Sequence, residues 1–276
     1  MSFPFTVYLN DASVRVTKST KQMPLGTRAI TSDGRVFRHA QNGATALAAH
    51  ALCITAAQGP ASTATDQVFY SNYTAGTTYI KLGLSTVALP ALSANYFEDG
   101  YMVVISTDTA YNQIARIDSN EALVSSTALG QLTGIWLGPD GLEKAVDTAT
   151  AIAKLVANPY KKVVVSTAAN GPGYPLGIAP VYVAANYYFW VQTWGPALAV
   201  AGEGVRATID TQPGLPLAWS TALAGAVGGR VTASASGYIP DDTDSGFSRS
   251  IGGVGTLITC APAANFYHMI DLRLAP

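Results

Sequence analysis

Short runs of alternating and β-branched residues, each closed by Gly, Pro or Asn, recur along this chain and constrain its fold more than any other feature. "FTVYL" (5–9) and "SVRVTKS" (13–19) flank Asn10-Asp11, while "RAIT" and "RVFRHA" flank Ser32-Asp33-Gly34, so both stretches read as hairpins. "TTYIKLGL" (77–84) alternates, and "GYMVVIST" (100–107) is almost continuously apolar, as a buried strand is. Further strand patterns follow at 111–120, 133–138, 161–167, 177–195, 204–210, 229–235, 255–260 and 267–275. This rhythm and punctuation belong to sandwiches and barrels. The expected class is all-β, in β-sandwich or barrel-like units, with at most one or two short helices. No repeat of fixed period is visible, which argues against a solenoid or propeller.

One stretch conflicts with that reading. In "LEKAVDTATAIAKLVAN" (142–158), Leu142, Ala145, Val146, Ala149, Ile152, Ala153 and Val156 would share one face of a helix. Its Thr residues and the following Pro159 favour strand instead, so both forms stay open. Pro159 also marks a natural break. The expected division is an N-terminal β domain, 1–158, and a C-terminal one, 159–276, with a single continuous domain as the alternative.

Charged residues make up 12% of the 276, about half the usual share, and much of the 49% that is hydrophobic is Ala. A surface so poor in charge suits a protein covered by neighbours, so self-association is expected, as a homotrimer or alternatively a dimer. The net charge of −1 argues against direct nucleic-acid binding, which needs a basic stripe. No window approaches the roughly 18 apolar residues of a membrane helix. "MSFPFTVYLND" lacks the basic region of a signal peptide, so assembly in a cytoplasm, without a membrane partner, is expected.

Catalytic chemistry finds little support. The histidines are His39, His50 and His268, and no nucleophile elbow, zinc-protease or phosphate-loop motif occurs. "GPGYPLG" reads as a rigid turn, Glu98-Asp99 as a polar strand entry, and Asp241, Asp242 and Asp244 as a solvated turn. Cys53 and Cys260 have no metal-ligand spacing and read as small buried hydrophobes. No enzyme activity, metal or cofactor is expected.

Two clusters stand out as candidate contact surfaces. "NYYFWVQTW" places Tyr188, Trp190, Gln192 and Trp194 on one strand face and Tyr187, Phe189 and Val191 on the other. Apolar residues on both faces imply a central strand between two layers, or one layer facing a partner. The second cluster is Arg28, Arg35 and Arg38, three cations on one hairpin in a chain with few charges. Arg35 and Phe37 point one way from the strand, Val36 and Arg38 the other. One of Arg35 and Arg38 is therefore expected to bind a partner and the other to form an internal pair, with Arg28 sharing a face across the turn.

"LGTRAITSDGRVFRHAQNGATAL" resembles a pattern of tailed-bacteriophage virion proteins encoded beside the major capsid protein. In that pattern a "G-T…D-G-R-x-F-R-Y" hairpin precedes an Ala/Gly-rich stretch, then "Y…G-Y-x-x-V", "N-P-Y-x-x-V-V" and "Y-x-W-V-Q-T-x-G". The four stretches stand here in the same order, at Gly26 to His39, Tyr96 to Val104, Asn158 to Val164 and Tyr188 to Gly195, with His39 in place of the Tyr. The match spans roughly residues 25–200. The resemblance implies a head protein of the decoration or cement type, outside the capsid lattice, with the major capsid protein as partner and no catalytic residues. Arg28, Arg35, Arg38, Trp190 and Trp194 are the candidate capsid or subunit contacts. Arg carries a planar fork suited to carboxylates and carbonyls at interfaces. The rival expectations are a tail-tube or connector component, a glycan-binding adhesion module marked by an exposed Trp190 or Trp194, and a hydrolase with a His–carboxylate pocket.

Overall fold

The structure, a computed structural model, describes residues 6–56, 67–84, 93–108, 112–122, 132–166, 173–201, 216–220, 223–229, 253–259 and 267–274. The chain runs through β1 (Thr6–Tyr8), a 3-10 turn (Ser13–Arg15), β2 (Arg28–Ile30), β3 (Val36–Gln41), β4 (Leu52–Ile54) and β5 (Gln67–Phe69). Next come β6 (Tyr79–Leu84), β7 (Tyr101–Ser106), β8 (Gln113–Asn120), β9 (Leu132–Leu137), β10 (Ala151–Val156) and β11 (Val164–Val165). Then follow β12 (Pro175–Ile178), β13 (Tyr188–Ala201), β14 (Pro216–Trp219), β15 (Ala226–Gly229), β16 (Gly255–Thr259) and β17 (Tyr267–Arg273). The architecture is all-β. The stretches 204–210 and 230–235, the acidic residues at 241–244 and Cys260 lie outside the described residues.

The chain divides into two units, but not at one point. Gln58–Pro159 forms one, and Ser2–Ala57 joins Tyr160–Pro276 in the other, which corrects the linear division at 158/159. The reason is strand pairing: β3 lies antiparallel to β13, and β4 to β11 and β12, which ties the start of the chain to its second half.

The inserted unit is a closed barrel in the order β10-β5-β6-β9-β8-β7. The ladder between β7 and β10, from Ser106↔Ala151 to Tyr101↔Val156, closes it and leaves no free edge. Ile80, Leu82, Met102, Ile117 and Ile135 fill its interior, each contributing about 1.5–3 kcal/mol by burial. The helix that 142–158 could have formed is absent. Ala151, Ala153 and Leu155 point inward from β10 while Ile152, Lys154 and Val156 are half-buried outside, a period of two that a helix could not present to this core.

The other unit is built around β13. Its first half, Tyr188 to Trp194, pairs with β3, and its second half, Trp194 to Val200, pairs with β17. Phe189 and Val191 pack with Leu47, Cys53 and Val183, whereas Trp190 packs with Val14, Ala29 and Phe37 on the other side. The strand is central, and its first half is covered on both faces, whereas Pro196 and Leu198 in its second half are exposed. The hairpin expected around Asn10-Asp11 does not form. The Ser13 N–H donates to Asn10 Oδ1 (2.7 Å), the chain turns into the 3-10 segment, and β1 pairs in parallel with β2.

Among the described residues six strands enter through one kind of turn. The N–H groups of Thr27, Ala51, Thr77, Gly100, Tyr187 and Ala226 each donate to the carbonyl three residues back. The third residue of each turn is left-handed: Gly26 (φ 84°), His50 (64°), Gly76 (82°), Asp99 (61°), Asn186 (63°) and Gly225 (75°). Glycine adopts this region freely, and Asn, Asp and His tolerate it best among the others. These turns lead into β2, β4, β6, β7, β13 and β15.

Candidate functional site

The arginine hairpin forms as the sequence predicts. Gly34 (φ 82°) donates its N–H to the Thr31 carbonyl (2.9 Å), and the Thr31 N–H donates to the Arg35 carbonyl (3.1 Å). Asp33 Oδ1 accepts from the Thr31 hydroxyl at 2.6 Å, which holds the turn tight.

The three arginines separate into two roles. Arg35 donates from Nε to Asp33 Oδ2 (2.6 Å) and from Nη2 to Asp11 Oδ1, and its guanidinium carbon lies 5.6 Å from the centre of the Phe37 ring. Its hydrogen bond holds the Asp11 carboxyl below the ordinary carboxylate value. The Thr31 hydroxyl does the same for Asp33, with Arg35 adding to it. Partial burial alone would make Arg35 easier to deprotonate, but Asp11 and Asp33 outweigh it. Arg35 is thus the internal pair.

Arg28 and Arg38 stand directly opposite each other, as Cα partners across β2 and β3. Side chains so paired project from one face, and like charges placed opposite one another are unfavourable. Arg38 Nη1 donates to the Gly26 carbonyl at 3.2 Å, and its charge partly offsets the burial that pushes the Tyr160 phenol up. Arg28 meets no carboxylate among the described residues, and its buried Nε finds no acceptor. Both arginines are half-buried on this face of the hairpin, where a guanidinium fork can take a carboxylate or carbonyl oxygens.

The tryptophans are placed differently from the expectation. Trp190 keeps only 8% of its surface and belongs to the core, so it is no contact residue of this chain's surface. Trp194 is half-buried, and a register shift between Gln192 and Trp194 sets it opposite Val36, breaking the alternation on which a face shared with Trp190 depends. Trp136, on the outside of β9, is more exposed than Trp190 or Trp194, with 40% of its surface open. The signal for it was present: Ile135 and Leu137 point into the barrel, so a period of two turns Trp136 outward.

The remaining candidates have structural places. His39 is buried between Tyr188 (5.8 Å between ring centres, stacked) and Trp190 (5.1 Å). His50 packs edge-on against Tyr267 at 5.6 Å, and His268 is buried on β17. Asp99 is the last left-handed residue before β7 and pairs with Arg116. Cys53 is buried as a free thiol, pushed up to about 12 by that burial. Among the described residues, no group of His, Cys, Asp and Glu could hold a metal ion, and no helix is long and apolar enough to cross a membrane. Compared with known protein families, curated proteins and solved structures, the chain matches none.

Proposed function

We propose that this chain is a structural protein of a tailed-bacteriophage head, of the decoration or cement type, that docks on the outer surface of the capsid lattice. The observation that carries the docking is the Arg28–Arg38 pair. Arg28 meets no carboxylate among the described residues, and one supplied from outside would give it charge-assisted hydrogen bonds, with Arg38 on the same face adding to the attraction. The resemblance of the ordered stretches from Gly26 to Gly195 to a virion-protein pattern supports the capsid as the source of that carboxylate. Many weak, repeated contacts then act together on the lattice, clamping neighbouring capsomers against internal DNA pressure.

Two measurements test the reading. Purified protein is mixed with capsids lacking it and sedimented, and its copy number per virion is counted. Saturable co-sedimentation at a stoichiometry matching the lattice is expected. A few copies per particle would place the protein in the tail or connector instead, and no co-sedimentation would overturn capsid docking.

A further inference from the structure

We infer that the outer face of the inserted barrel, around Trp136, is a saccharide-binding site. The site is built from three neighbouring strands. Trp136 on β9 is the direct Cα partner of Tyr79 on β6 and of Ser119 on β8. The Trp136 and Tyr79 rings lie 4.8 Å apart between centres, tilted by 45°, and form a two-ring platform. A register shift between Ile117 and Ser119 brings Asp118 and Ser119 together to the rim. Thr78, Asp118, Ser119, Trp136, Leu137 and Pro139 line an open cleft of about 450 Å3, within the usual range for small-ligand sites.

The platform is held in place before any ligand arrives. A side chain at Gly134 would put its Cβ 2.7 Å from the Tyr79 hydroxyl and 2.7 Å from Glu121 Cδ, so only glycine lets these groups lie over β9. The Tyr79 hydroxyl donates to Glu121 Oε1 (3.4 Å), and Glu121 Oε2 accepts from the Gly134 N–H (3.0 Å). Glu121 is therefore engaged in fixing the tyrosine, which leaves the exposed Asp118 as the acidic group of the rim.

These groups fit a sugar ring. A pyranose offers a face of slightly positive C–H groups, which matches the negative face of an indole or phenol. Around that face its hydroxyls need acceptors and two-way partners, which the Asp118 carboxylate and the Thr78 and Ser119 hydroxyls supply. An organic cation also favours aromatic rings, but its attraction is strong only where water is excluded. Two rings on an open cleft do not enclose one.

The test is isothermal titration of the full chain with maltotetraose, cellotetraose and chitotetraose, alongside choline chloride. Binding of at least one oligosaccharide is expected, and Trp136→Ala should weaken it at least about tenfold, since stacking and burial of an aromatic group carry this much. Asp118→Ala should weaken it by roughly threefold to tenfold, the size of one hydrogen bond to a charged group. Asp118 is exposed, so Asp118→Ala should keep the melting temperature within about a degree of the parent, whereas Trp136→Ala gives up its packing on Tyr79 and should lower it by a few degrees without unfolding the chain. Three results would overturn the inference: no response to any of the sugars, binding that Trp136→Ala leaves unchanged, or binding of choline in place of the sugars. None of these depends on capsids, so the outcome stands apart from that of the docking experiment.

Discussion

Arg116 Nη2 lies 2.8 Å from Asp99 Oδ1, joining β8 to the turn that starts β7. The Asp99 side chain is 4% exposed, its N–H donates to the Ile117 carbonyl (3.0 Å), and its own carbonyl accepts from Asn158 Nδ2 (2.9 Å). A charged group fixed at three points in a left-handed turn leaves little freedom for replacement. Arg116→Ala should cost about 2–4 kcal/mol, somewhat under the range for a fully buried pair because Arg116 keeps 23% of its side chain in water. Asp99→Asn keeps a residue that tolerates the left-handed turn, so it should cost less than Asp99→Ala, which adds about 1–2 kcal/mol of backbone strain. Urea unfolding of the three variants measures this. Parent-like stability of Arg116→Ala would mean that water reaches Asp99.

The turn of the arginine hairpin should respond to acid. Asp11 and Asp33 both titrate below the ordinary value of 3.8 in the folded chain. A depressed carboxylate stabilises the fold above its unfolded value and loses that contribution as pH falls through the folded one. The melting temperature should therefore drop as pH is lowered from about 4 towards 2. Arg35→Ala should shrink that drop, since its hydrogen bonds are the largest cause at Asp11 and the second at Asp33 among those favouring the charged form. An unchanged acid limb in Arg35→Ala would contradict the pairing.

His50 predicts a second pH effect at milder acidity. Its value lies below the usual 6.5, chiefly because burial disfavours the cation and secondly because the Arg15 charge repels it. The neutral form is the one the fold holds, so this contribution is complete above the unfolded value and is lost as pH falls below about 6.5. His50→Asn keeps a residue suited to φ 64° and removes the titration. The parent should lose melting temperature between pH 7 and 5, and this variant should lose less. Equal losses would assign the effect to other groups.

Capsid attachment should separate the three arginines. Arg28→Ala and Arg38→Ala should each weaken co-sedimentation by about 2–5 kcal/mol if they share a carboxylate at the interface. Arg28→Ala should leave the melting temperature nearly unchanged, because Arg28 meets no carboxylate among the described residues. Arg35→Ala should act on folding first, through its ties to Asp11 and Asp33. Normal attachment of both Arg28→Ala and Arg38→Ala would remove the hairpin from the interface.

Much of the candidate surface was legible before the fold was known. Ser32-Asp33-Gly34 predicts its hairpin because a glycine can take the left-handed place and an Asp can fold its carboxylate back on the turn, both within five residues. The opposite facing of Arg35 and Arg38 follows from the two-residue period of a strand. Which of the two would be neutralised was not legible. Arg35 is held partly by Asp11, 24 residues away, and only the parallel pairing of β1 with β2 brings it near.

What the sequence by itself determined is therefore local: that the chain is all-β, where most strands run, which side of each strand is apolar, and where Gly34 turns the chain. These depend on torsional preference and alternation, which act over a few residues. Only the tertiary structure decided that 142–158 contributes β10 and not a helix, since its ladder partners on β7, from Ser106↔Ala151 to Tyr101↔Val156, lie far away along the chain. It also decided that residues 2–57 rejoin the chain after 160, and that Trp190 is buried while Trp136 is open. Each of these is a choice of partner. Closing a long loop costs little more than closing a medium one, so distance along the chain discriminates weakly between partners. The choice falls to the packing of whole faces, which no stretch of sequence contains alone.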